Sequence, residues 1–216
     1  MIRPFLGALA FAGAACALAM PAAAQTTGAG SHQLYTAKLV PMNTKVAGHQ
    51  ATGEAEFRVN GDTLTISIKM RGVSPSMIHW QHFHGFKDNK AASCATEAAD
   101  ANHDGIIDLI ETEPTSGTTM VPFDSDPAGM DIAHGAYPTA TTHGTYQYHK
   151  TVSLKALQAA FAKAFDDQEL DLDRRVVIVH GVPATTKLPA SVASLGPIPA
   201  HVTLPIACGK IERVGG

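Results

Sequence analysis

The chain has 216 residues, 45% hydrophobic and 16% charged, with a net charge of −3, 11 His and 3 Cys. Without a Lys/Arg excess it lacks the basic footprint of a nucleic-acid binder, and its apolar share is too high for an intrinsically disordered chain. Three cysteines exclude a disulfide-dense scaffold, which leaves histidine, the commonest metal ligand, as the unusual component.

Residues 1–24 read as a secretory signal peptide: Arg3, an apolar run from Phe5 to Met20, then the small-residue cleavage pattern Ala22-Ala23-Ala24. The run is short of the roughly 20 apolar residues of a membrane span, so no stable membrane insertion is expected after cleavage. Cleavage after Ala24 leaves 192 residues, a net charge of −4, and only Cys94 and Cys208 as cysteines. The expected location is the bacterial periplasm or the extracellular space, where one cysteine pair admits one bridge. Residues 25–32 read as a flexible leader and 33–216 as one β domain.

Strands begin at Gln33. From Thr52 to Val59, Glu54, Glu56 and Arg58 alternate with Ala55, Phe57 and Val59. Asn60-Gly61 then signals a hairpin, and Leu64, Ile66, Ile68 and Met70 continue the alternation. Further strands are expected at Ile78–Phe86, Tyr146–Val152, Val176–His180 and Val202–Ile211. Between them, Ser153 is a candidate N-cap, and Leu154, Leu157, Phe161, Ala164 and Phe165 recur at helical spacing. This predicts an amphipathic helix over 153–166. Pro183 to Ala200, rich in Pro, Ala and Ser, reads as a long ordered loop.

Two constellations carry chemistry. In His82-Phe83-His84, residues i and i+2 of a strand share a face, so two imidazoles stand side by side, as copper or zinc chelation needs. The same pair on an open face would be merely solvated. His180, ending the Val176–Val179 run, is a candidate to close the site from another strand. The second constellation, residues 100–111, fits a twelve-residue EF-hand-type calcium loop. Asp100, Asn102 and Asp104 supply oxygens at positions 1, 3 and 5, and Gly105 supplies the turn at 6. Ile106 offers a carbonyl at 7, Asp108 acts at 9, and Glu111 is the acid at 12. A turn of this composition that binds nothing is the alternative.

Spread over residues 52–211, the sequence resembles the copper–zinc superoxide dismutase family. His82-Phe83-His84-Gly85-Phe86-Lys87-Asp88-Asn89 is similar to that family's copper motif. Cys94 stands at its first disulfide cysteine, Arg175–His180 resembles the strand bearing a further copper histidine, and Ala207-Cys208-Gly209-Lys210-Ile211 resembles its closing strand. The resemblance implies an all-β Greek-key sandwich of about eight strands, with the helix and the calcium loop as insertions. It also implies a Cys94–Cys208 bridge and copper held by His82, His84 and His180. Two departures stand out. Asp100 occupies the place of the family's bridging histidine, and no histidine is in register for zinc. Pro205 occupies the place of the arginine that guides superoxide. Zinc is therefore not expected at the usual family site, and calcium is expected to organise that region instead. His79, His103, His134, His143, His149 and His201 are candidates for an additional ligand. The strand and HxH pattern is also similar to chordin-type (CHRD) domains. Three expectations follow: copper-dependent superoxide dismutation, copper binding without catalysis, or a CHRD-like calcium-stabilised binding or structural sandwich. Metal ions are the expected partners, with superoxide as substrate in the first case. No catalytic residue is assigned beyond the metal ligands.

Overall fold

The computed structural model describes residues 32–215. The expected signal peptide and leader lie outside the described residues, except His32, which opens the first strand. In chain order the elements are β1 (His32–Pro41), α1 (Thr44–Ala47), β2 (Thr52–Asn60), β3 (Thr63–Arg71), β4 (Gln81–Gly85), α2 (Leu109–Ser116) and β5 (Thr118–Pro122). They continue with β6 (Thr145–Ser153), α3 (Leu154–Ala164), β7 (Val176–His180), α4 (Ala200–Thr203), β8 (Pro205–Lys210) and β9 (Glu212–Arg213). The strands form a curled antiparallel sheet in the order β5-β4-β7-β8-β1-β2-β3-β6, with β9 beside β1. The neighbours β4–β7, β8–β1 and β3–β6 are far apart in sequence, which gives the Greek-key order. β1 makes the curl: His32 to Leu39 pair with β2, while Val40 and Pro41 pair with Cys208 and Ala207 of β8. The result is the expected all-β, sandwich-like fold.

The hairpin shows how alternation sets the faces. Ala55, Phe57 and Val59 lie opposite Ile68, Ile66 and Leu64, and all six are buried. A one-residue slip would turn this whole set to solvent. The loop itself is Gly61-Asp62, one residue later than the expected dipeptide, because Asn60 still pairs with Thr63. Gly61 takes φ +57, a conformation glycine reaches without a Cβ penalty. Asp62 also anchors the helix, its carboxylate accepting from the Ser153 hydroxyl at 2.9 Å and the Lys155 N–H at 2.6 Å. Ser153 caps α3 as expected, accepting from the Ala156 N–H at 3.1 Å. Leu157 and Phe161 are the buried face of that helix.

The two halves of the sheet meet over aromatics. Phe57 packs 5.2 Å from Phe83 and 5.8 Å from Phe123, and the last two are 4.6 Å apart, centroid to centroid. Phe83 thus commits one face of β4 to the core and turns His82 and His84 to the other.

Several boundaries differ from expectation. The Ile78–Phe86 strand contracts to Gln81–Gly85, and Ile78 keeps only one bridge, to Thr139. The last long strand starts at Pro205, because α4 takes residues 200–203. β5 and α2 were not expected. Cys94 and Cys208 are bonded, with Cα atoms 5.8 Å apart and a sequence separation of 114. Such a bridge fits an oxidising, exported setting. Among the described residues no helix is long and apolar enough to cross a membrane.

Candidate metal centre

Pairing of β4 with β7 sets His82 opposite Ile178 and Gln81 opposite Val179. His180 therefore arrives at the His82 end of β4. One ring nitrogen each from His82, His84 and His180 lies within 4.8 Å of the other two. The ring centroids are 5.2 Å apart for His82–His180, 5.5 Å for His84–His180 and 6.0 Å for His82–His84. All three side chains are buried.

Hydrogen bonds choose which nitrogens remain available. His180 Nδ1 donates to the Thr203 carbonyl at 2.8 Å, leaving Nε2 with its lone pair and no partner. Tyr137 donates its hydroxyl proton to the Ile132 carbonyl, so His82 Nε2 donates to the phenol oxygen at 2.9 Å. His82 Nδ1 is then the bare nitrogen, again without a partner. His84 Nδ1 points to the Gly117 carbonyl and Nε2 to the Thr119 hydroxyl, both at 3.4 Å. Gly117 has φ +74, and a Cβ there would collide with the Gly85 carbonyl, so glycine is what lets the α2–β5 link approach His84.

Burial keeps the imidazoles neutral. It holds His84 down to about 3 and His180 down to about 4, and the neighbouring rings help push His82 well below its ordinary value. Neutral imidazoles with free lone pairs are the form a metal ion requires. Buried, unpartnered ring nitrogens converging on one point are otherwise costly, and a bound ion removes that cost. The donor set fits copper or another imidazole-binding transition metal.

The sequence picked these three histidines and the structure brings them together. It missed what surrounds them. Trp80, Leu109, Thr119, Ile132, Leu195 and Thr203 line a cavity of about 10 Å³ beside His82 and His180. Trp80 stacks on Tyr137 with centroids 5.2 Å apart. Leu109 opens α2, Thr119 lies in β5, Thr203 ends α4, and Ile132 and Leu195 come from loops, so apart from Trp80 they are distant in the chain and no local spacing marks them. None of the other histidines joins the group among the described residues. His79 faces the Ser74 and His180 carbonyls, His134 bonds Asp131, His149 bonds Ser67 and His201 bonds the Thr186 carbonyl. His103 and His143 are exposed.

The 100–111 segment has the turn geometry its composition suggests. Gly105 takes φ +80. Asp100 Oδ2 accepts from the Gly105 N–H at 2.9 Å, and Asn102 Oδ1 accepts from the Asp104 N–H at 2.9 Å. Asp108 is the N-cap of α2 and forms a capping box with Glu111. Ile106 is buried. The carboxylates of Asp100, Asp104, Asp108 and Glu111 serve loop N–H groups and do not gather as the three histidines do. Asp104 accepts from the Ser191 hydroxyl at 2.5 Å and Asp108 from the Ala193 N–H at 2.7 Å. The 100–111 loop therefore holds the 183–200 loop, whose Leu195 reaches the histidines. No protein-family model and no curated protein sequence matches this chain.

Proposed function

We propose that this is an exported copper-binding protein on a superoxide dismutase-like sandwich, with copper held by His82 through Nδ1, His180 through Nε2, and His84. The observation that carries the reading is the meeting of three buried, neutral imidazoles within 4.8 Å. When bound, copper supplies one-electron redox chemistry. The chain's own residues bind it, fix the ring tautomers and keep bulk water away. The bridge and the leader pattern favour the periplasm or the extracellular space. A second, zinc-holding site of the family kind is not part of this reading, since no further histidine adjoins the three among the described residues.

Holding copper without catalysis fits better than dismutation. Pro205 pairs with His180, so no guanidinium stands there to draw in an anion, and Leu109, Ile132, Leu195 and Trp80 cover the rings. Dismutation is the second reading, favoured by the family-like order of the HxH, Cys94, His180 and Cys208 anchors. We further propose that the 100–111 loop takes a structural calcium ion. Its spacing, the Gly105 conformation and the start of α2 at Asp108 support this. The ion would stiffen the loop that carries the cover.

The test loads the purified protein with copper and measures stoichiometry and superoxide consumption beside a His82→Ala, His84→Ala double variant. One copper per chain, lost in the variant and without superoxide turnover, is expected. Turnover that depends on both histidines would favour the dismutase. No stoichiometric copper would leave a CHRD-like structural sandwich.

A further inference from the structure

We infer that the three-histidine site selects monovalent copper over divalent ions, because no charged side chain bonds the imidazoles or lines the cavity beside them. The inference rests on the copper-binding reading and deepens it.

The hydrogen-bond partners of the three rings are a phenol, a hydroxyl and two backbone carbonyls, from Tyr137, Thr119, Gly117 and Thr203. The Tyr137 hydroxyl gives its proton to the Ile132 carbonyl at 2.9 Å, so that partner is a neutral phenol. The cavity wall adds Trp80, Leu109, Ile132 and Leu195. No carboxylate belongs to the metal-holding group among the described residues.

An ion entering this site keeps its full charge. The desolvation cost of an ion rises with the square of its charge, so a divalent ion meets about four times the penalty of a monovalent one of similar size. Coordination number pulls the same way. Zinc and Cu(II) sites ordinarily take four or more ligands. Here three nitrogens are offered, and the adjoining cavity of about 10 Å³ is at the lower limit for one water. Cu(I) is satisfied by few neutral donors. Neutral tyrosine and threonine partners therefore act as specificity determinants, where a carboxylate partner would favour the higher charge.

The experiment uses the purified full-length protein without oxygen. Cu(I) affinity is read by competition with a Cu(I)-specific chelator, and Cu(II) and Zn(II) affinities by competition with chelating dyes. Wild type should hold Cu(I) at least about 10³-fold more tightly than Zn(II) or Cu(II). A Leu195→Asp variant sets a carboxylate at the cavity rim, at a residue 42% exposed and so tolerant of change. It should narrow that ratio by roughly tenfold or more. Cu(II) binding as tight as Cu(I), and lost in the His82→Ala, His84→Ala variant, would overturn the selectivity while leaving the copper site standing. A ratio unmoved by Leu195→Asp would overturn neutrality as its cause. Failure to bind copper in either state would overturn the copper reading itself.

Discussion

The Tyr137 hydroxyl stands 2.9 Å from His82 Nε2 and sends its own proton to the Ile132 carbonyl, also 2.9 Å away. A residue 55 positions downstream thereby decides which nitrogen of His82 is bare. Tyr137→Phe keeps the ring stacked on Trp80 but leaves a buried N–H without an acceptor. The variant should lose about 1–3 kcal/mol of stability and about 10–100-fold in copper affinity. Chemical denaturation and chelator competition measure the two losses. An unchanged affinity would remove Tyr137 from the site.

Acid should destabilise the metal-free protein through the same histidines. In the unfolded chain each titrates near about 6.5, whereas burial holds His84 down to about 3 and His180 down to about 4. Between those values the unfolded chain binds protons that the fold refuses. Their contribution is complete above about pH 6.5, and it falls as the pH drops towards 4 and then 3. The combined loss is on the order of several kcal/mol. Melting temperature against pH measures it, and a His180→Gln variant should flatten the curve. A level profile from pH 6.5 to about 4.5 would contradict the neutral, buried setting.

Calcium should stabilise the protein at millimolar concentration. For a single extracellular-type loop with a dissociation constant near about 10⁻⁴ M, about 10 mM calcium adds roughly 2.7 kcal/mol. In a domain of this size that raises the melting temperature by about 5–10 °C. Asp100→Asn and Glu111→Gln should each reduce the gain, with magnesium as the control. Equal melting with calcium and with chelator would sink the calcium proposal.

Reduction of the Cys94–Cys208 bridge should cost about 2–5 kcal/mol. Cys208 lies in β8 beside Ile178 of β7, and with Met42, Ala92, Ala95 and Ile107 it forms a small second core. The bridge ties the segment after β4 to that core. Denaturation with and without reductant, and of a Cys94→Ser, Cys208→Ser variant, gives the value.

The sequence made the hairpin and the histidine set legible for the same reason: both rest on the two-residue period of a strand. The alternation from Ala55 to Met70 fixed the buried face, and His82 and His84 share a face by that rule. His180 could be offered only as a candidate from the end of the Val176–Val179 run, and the family resemblance tied it to the pair, since its meeting with His82 depends on the β4–β7 register. α2 was hidden because Asp108 and Glu111, its cap and first-turn acid, also read as calcium ligands, and because Pro114 lies inside it. β5 was hidden by its brevity and by Pro122 at its end. The cover over the site was illegible because Ile132 and Leu195 come from irregular loops, whose positions follow from long-range contacts such as Ala193 to Asp108.

The most direct test of the central claim is X-ray absorption at the copper edge on the loaded protein. One copper per chain with a shell of imidazole nitrogens is expected, replaced or lost in His82→Ala, His84→Ala and His180→Ala variants. A shell dominated by oxygen or sulfur, unchanged by those three substitutions, would contradict the account.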